Sequence, residues 1–216
     1  MTIYSPVPDY AAARESMVDT QLRPQGVSYP PVVEAMASIP RELFVSDEAR
    51  PLAYIDRTVP IGDGRSMSGP VVTGLLLTEL APVRGESALV IGCGTGYSAA
   101  LLAQIGLEVT GLECSPQLAS RARDYGIHVV EGPLEQGLKK GSPYELILID
   151  GAVGYIPDAI IAQLADQGRL GAALMDRGIS RLAVGRKAGK GFAVQTIADA
   201  GAAALPGFAR PRTFTF

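Results

Sequence analysis

The stretch at residues 87–100, SALVIGCGTGYSAA, constrains this chain more than any other. An apolar run, ALVI, passes directly into Gly92, Gly94 and Gly96, and the small and apolar residues of a helix start follow. This reads as strand, glycine turn, helix. A turn that reverses tightly and lets a ligand approach the backbone has no room for a Cβ, so glycine is the residue it needs. Strands alternating with helices imply an α/β chain whose sheet is doubly wound and mainly parallel. In such sheets ligands bind beyond the carboxyl ends of the strands.

Spacing narrows the ligand. A dinucleotide fingerprint, G-x-G-x-x-G, needs its third glycine where this chain has Tyr97, and no Lys-Ser or Lys-Thr pair follows to make a nucleotide phosphate loop. A second strand, EVTGL at 108–112, ends at Glu113, about 20 residues past the first glycine, where an acidic side chain meets ribose hydroxyls. A glycine turn without a diphosphate cradle, followed by that acid, is similar to the S-adenosylmethionine site of class I methyltransferases. Cys93 in the turn and Cys114 after the acid fall in the same region, with buried small residues as their plain alternative. For the turn itself, the alternative is a simple joint between strand and helix.

Further strands are predicted at 128–130, 145–149 and 169–174, with helices at 116–125 and 157–165 and a closing hairpin at 180–186 and 191–198. These bring Pro133, Leu134 and Asp150 to the crevice with the glycine turn; Asp150 is either a ligand contact or a turn cap. Ahead of the core, helices are predicted at 10–22 and 31–38, broken at Pro24 to Gly26. The polar, turn-rich loop VPIGDGRSMSGP at 59–70 leads into a helix at 71–80. A chain of 216 residues fits one domain, with a helical and substrate-loop extension at 1–80 and a cofactor-binding core at 81–216.

Composition sets limits. A net charge of −3 argues against a nucleic-acid surface, and the basic residues Arg181, Arg186, Lys187 and Lys190 flank a turn. No apolar run reaches membrane-spanning length, the opening lacks the pattern of a secretion signal, and two cysteines make no disulfide framework; cytoplasmic residence is expected. The single histidine, His128, has no ligand-spaced partner, so no metal site is expected.

Taken in order, MVDTQLRPQGV, AMASIPRELFV, AYIDRTVPIGDGRSMSGP, ALVIGCGTGYSAALLA and YELILIDGAVGYIPDAIIAQLADQGRL resemble the protein-L-isoaspartate O-methyltransferase family over residues 14–175. The resemblance implies a Rossmann-like class I fold with a seven-stranded sheet and methylation of the free α-carboxylate of isoaspartyl residues in damaged proteins. S-adenosyl-L-methionine would be the donor, and isoaspartyl-containing proteins or peptides the partners. By it, Ser68 matches the loop serine near donor and acceptor, Ile61, Gly62 and Arg65 fall in the substrate loop, and Gly92, Gly94, Gly96 and Glu113 match cofactor positions. The chain departs from the family pattern at Val90 and Pro133, where carboxylates are usual, at Arg65 to Met67, and in the C-terminal LPGFARPRTFTF. Arg65 is then either a bidentate clamp for a substrate carboxylate or a solvated loop cation. Two alternatives remain open: a related methyltransferase with another carboxylate or small-molecule acceptor, or a cofactor-binding protein without catalysis. Oligomeric state is not readable.

Overall fold

A computed structural model describes residues 9–209. The core is a seven-stranded sheet in the order β5-β4-β3-β6-β7-β8-β9. Its strands are β3 (Ser87–Ile91), β4 (Glu108–Glu113), β5 (His128–Glu131), β6 (Tyr144–Val153), β7 (Leu164–Asp176), β8 (Ile179–Ala188) and β9 (Gly191–Asp199). The first five in spatial order are parallel; β8 and β9 close the sheet antiparallel.

Strand β3 lies inside the sheet between β4 and β6 and is apolar from Ala88 to Ile91, as a strand covered on both faces must be. Ala88 and Val90 belong to one buried cluster, Leu89 and Ile91 to the other, as the two-residue period of a strand dictates. Val90, where the family pattern has an acid, is fully buried among apolar neighbours. After β5 the chain crosses to β6 on the other side of β3, so the strand order reverses there and a crevice opens beyond the carboxyl ends of β3 and β6.

The N-terminal extension packs on the first of these clusters through α1 (Tyr10–Met17), a π turn (Val18–Leu22), α2 (Pro30–Ser38) and α3 (Pro70–Leu80). The helix expected over 10–22 is therefore shorter as an α-helix, its last turn loosening to π geometry before Pro24. The 59–70 stretch, expected as a loop, is instead a hairpin, β1 (Val59–Gly62) with β2 (Arg65–Met67). Its reversal uses positive φ at Gly62, Asp63 and Gly64, and its alternate residues Val59, Ile61 and Met67 are buried.

Helices α4 (Tyr97–Ile105) and α5 (Pro116–Asp124) follow β3 and β4. The helix expected over 157–165 shrinks to α6 (Asp158–Ile161). Leu164 already pairs with Tyr144, and the Gln163 side chain spans a neighbouring loop, accepting from Leu138 N at 2.8 Å and donating to Gln136 O at 2.8 Å. The chain beyond residue 209, which includes most of the divergent C-terminal run, lies outside the described residues.

Candidate functional site

The glycine turn is pinned to β4. Gly92 N and Cys93 N both donate to Leu112 O, at 2.8 and 3.2 Å. All three glycines have positive φ, 71° at Gly92, 57° at Gly94 and 97° at Gly96. Their open sides differ. A Cβ at Gly96 would press on Ala122 of α5, so that glycine serves helix packing; at Gly92 it would meet Leu205 and Arg65, and at Gly94 Ile61, all of which cover the crevice. Cys93 turns its thiol toward Gly111 within the sheet, and burial pushes that thiol's pKa up. Cys114 is exposed, and both cysteines are free.

Glu113, at the end of β4, has 0% exposure. Its Oε2 accepts from Gly94 N at 2.7 Å; its Oε1 accepts from Cys114 N at 2.8 Å and Ser115 N at 3.1 Å. The Cys114 thiol donates to Oε1 more weakly, at 3.4 Å, and a charged partner comes from the β1–β2 hairpin: Arg65 Nη1 donates to Oε1 at 2.8 Å, while Nη2 donates to Gly92 O at 3.1 Å. Of the two roles weighed for Arg65, the solvated cation does not hold, because its side chain is only 9% exposed. The residue expected on a ribose and the residue expected on an acceptor carboxylate are each other's partners.

Ser68, 5% exposed, follows the hairpin. Its carbonyl accepts from the Nη2 of Arg41, a cation with 0% exposure that also donates from Nε to Ala53 O at 2.7 Å and lies 4.7 Å from the centre of the Tyr97 ring. Burial lowers the Arg41 pKa, and its Nη1 has no hydrogen-bond partner among the described residues. Ile61 is buried with its side chain against the turn, and its carbonyl accepts from Arg121 Nη1 at 2.7 Å, which ties the hairpin to α5; a Cβ at Gly62 would meet nothing.

Asp150 lies at the boundary between two cavities of about 10 Å³ each, one walled by Arg65 and the glycine turn, the other by Ser68 and Gly151. Desolvation pushes its carboxyl pKa up, and the Ser98 hydroxyl pulls it partly back. Pro133 leads into a single turn, Leu134–Gln136, and Leu134 is buried in the same apolar cluster as Leu205 and Phe208.

Leu205 and Phe208 belong to a C-terminal segment stitched across the end of β6. Ala152 N donates to Ala203 O and Leu205 N to Ala152 O, both at 2.8 Å, and Gly154 N donates to Phe208 O at 3.1 Å. Leu205 fills the space over two glycines, since a Cβ at Gly151 would lie 2.6 Å from its Cγ. Outside this segment, an open cleft of about 870 Å³ is lined by Asp56, Arg57, Gly69, Val72 and residues 197–203. Sequence reasoning missed Arg41, Arg121 and Leu205. An arginine within the otherwise apolar IPRELFV was the one available signal; nothing local marks the other two.

A turn whose glycines face a crevice, and a buried carboxylate one strand over, suit an adenosyl cofactor better than a diphosphate, and Ile61, Arg65 and Leu205 occupy most of the space between them. Fold and site define a class I, Rossmann-like methyltransferase. The pattern of the protein-L-isoaspartate(D-aspartate) O-methyltransferase family matches residues 12–200. The chain is 39% identical to the protein-L-isoaspartate O-methyltransferase of Methanoculleus marisnigri over 164 residues, 73% of this chain and 74% of that protein. It is also 39% identical to that of Methylorubrum extorquens over 171 residues, 76% and 75% of the two chains. Among solved structures, a protein-L-isoaspartate O-methyltransferase superposes with a TM-score of 0.78 at 23% identity, covering 90% of this chain and 66% of that one. The Plasmodium falciparum protein of that designation, in complex with S-adenosyl-L-homocysteine, superposes with a TM-score of 0.77 at 18% identity over 92% and 99%. The chain belongs to the protein-L-isoaspartate(D-aspartate) O-methyltransferase family, S-adenosylmethionine-dependent enzymes. Among the described residues no helix is long and apolar enough to cross a membrane, and no cluster of three or more His, Cys, Asp or Glu is placed to hold a metal.

Proposed function

We propose that the chain works as a single methyltransferase domain that esterifies the α-carboxylate of isoaspartyl residues in damaged cytoplasmic proteins, the first step of their repair. In this reading Gly92, Gly94 and Glu113 hold the cofactor, Ser68 orients the acceptor, and Arg41 fixes Ser68 from beneath through its carbonyl. The observation that carries it is the meeting of acceptor loop and cofactor turn at Arg65, whose guanidinium touches both Gly92 O and Glu113.

S-adenosylmethionine supplies an electrophilic methyl group on a sulfonium. The acceptor, a carboxylate with an ordinary pKa near 4, is already an anion at neutral pH, so no residue has to remove a proton. What the chain contributes is position and exclusion of water, and two nearly filled cavities beside Ser68 and the turn suit that task. The acceptor's approach is the open cleft beside Gly69, which shares Val72 and Ala202 with the cavity beside Ser68. Transfer of labelled methyl groups to paired isoaspartyl and aspartyl peptides tests the reading. Base-labile ester on the isoaspartyl member alone is expected, and cofactor binding without any such ester would move the acceptor to another carboxylate.

A further inference from the structure

We propose that Arg65 sets cofactor affinity in this chain by competing for Glu113, and that on release its guanidinium passes to the acceptor's carboxylate, coupling the two binding events. The proposal rests on the reading of Glu113 as the ribose ligand.

Lone-pair arithmetic supplies the first step. An ionised carboxylate offers about four acceptor positions. Glu113 already receives Gly94 N on one oxygen and Cys114 N, Ser115 N, Arg65 Nη1 and, at 3.4 Å, the Cys114 thiol on the other. A ribose diol brings two further donors to a carboxylate that is already full, so donors now in place have to leave. Three are backbone groups of the turn and of the segment leading into α5, and moving them would dismantle the end of β4. Arg65 is the charged exception, because it reaches in from a two-stranded hairpin that forms its own small sheet and reverses through Gly62 and Gly64, beside which even a Cβ would meet nothing. Arg65 and the weakly donating Cys114 thiol are the donors that side-chain motion alone can withdraw, and of the two only Arg65 carries a charge into the competition.

The second step concerns the released cation. Arg65 is nearly buried, and without Glu113 it keeps a single carbonyl partner, Gly92 O. A desolvated guanidinium in that position calls for another anion, and its planar fork matches a carboxylate. The reaction brings one to the same loop, since Ser68 follows Arg65 by three residues and the cleft opens at Gly69. Arg65 therefore meets the acceptor better once Glu113 is engaged elsewhere, and by reciprocity the acceptor favours the cofactor.

Calorimetric titration with S-adenosylhomocysteine, and with an isoaspartyl peptide in its presence and absence, tests both steps. Arg65→Gln should bind S-adenosylhomocysteine about tenfold more tightly than wild type, because the competitor is gone while Glu113 keeps three backbone donors. In wild type, saturating S-adenosylhomocysteine should tighten peptide binding about fivefold or more, and in Arg65→Gln that coupling should vanish. Arg65→Lys, which keeps the charge but cannot hold Glu113 and Gly92 O together, should fall between and covers the case of a glutamine variant that folds poorly. Equal or weaker cofactor affinity in Arg65→Gln overturns the competition, the weaker result making Arg65 a direct cofactor ligand. Equal coupling in both proteins overturns the transfer to the acceptor. Cooperative melting of all three proteins with no S-adenosylhomocysteine binding in any would bring down the cofactor reading of Glu113, and this proposal with it.

Discussion

The floor of the crevice and its cover are built in opposite ways. The floor is local: Gly92 N and Cys93 N bond to Leu112 O on the adjacent strand, and Glu113 is fixed by Cys114 and Ser115 immediately after it and by Gly94 of that same turn. The cover comes from far along the chain. Ile61 and Arg65 reach in from a hairpin before the sheet begins, and Leu205 from a segment after it ends. Local backbone hydrogen bonds make a floor that cannot shift without unfolding, whereas side chains on short distant segments make a cover that can be exchanged for a ligand. The division suits an enzyme that has to admit a cofactor and an acceptor and then exclude water.

The sharpest way to break the comparison is to remove the carboxylate that joins floor and cover. Glu113→Ala leaves three buried amides and the Arg65 guanidinium without their anion, and losing one partner of a buried pair costs about 3–5 kcal/mol. Urea unfolding should show that loss along with failure to bind S-adenosylhomocysteine. The sequence alone suggests a ligand contact removable without structural cost; the buried bonds give Glu113 a structural role in the floor. A loss below about 1 kcal/mol would mean that the floor is not held through this residue.

Next in size is Gly94→Val. A branched side chain at φ 57° is strained by about 1–3 kcal/mol, and its Cβ would come within 2.7 Å of Ile61 Cδ1, forcing the cover off the floor. Far-UV circular dichroism should stay near wild type, since the turn belongs to no helix or strand, while S-adenosylhomocysteine binding disappears. Normal binding would place the cofactor away from Gly94.

The same contrast explains what could be read from the sequence. The floor was legible because its determinants are adjacent: glycine spacing, an apolar strand, and an acid one strand later. The cover was not, because Arg65 reads equally as clamp or solvated cation until Glu113 is seen beside it, 48 positions away in the chain. Leu205 lies among alanines with no pattern to mark it, and only the parallel bridge between Ala152 and Ala204 shows why it matters. Hairpin β1–β2 reads as a loop because glycine, serine and proline hide the alternation of Val59, Ile61 and Met67, which shows only once burial is known. The helix after β6 reads longer in the sequence than it is for a related reason: a helical pattern carries no sign that Leu164 pairs with Tyr144.

A smaller effect is expected at Ser68, where cover meets acceptor. Its hydroxyl has no hydrogen-bond partner among the described residues, while its carbonyl is held by Arg41, so Ser68→Ala should leave the fold and cofactor affinity unchanged. If the hydroxyl bonds the acceptor mainly in the transition state, kcat and kcat/KM should fall together by about tenfold, equivalent to about 1.4 kcal/mol. A rise in KM alone would make Ser68 a contact of the bound acceptor with no part in the methyl-transfer step.

The smallest effect belongs to Asp150, which lines both cavities between floor and cover. Desolvation raises its carboxyl pKa above the unfolded value, and the Ser98 hydroxyl offsets only part of the rise. A carboxyl with a raised folded pKa binds its proton more tightly when folded. The folded state therefore holds more protons between the unfolded pKa, near 4, and the folded one, so stability falls as pH rises through that window and the full penalty is present above it. Asp150→Asn removes the ionisation while keeping the shape and an acceptor for Ser98. At pH 7 the variant should be more stable than wild type, with a higher Tm, and the difference should shrink to nothing near pH 3, below both pKa values. Melting curves across that range decide it. A variant less stable than wild type at pH 7 would mean that the charged form is the one the fold favours, through the nearby Arg65 and Arg41, and would assign Asp150 to the charge network that holds the cover in place.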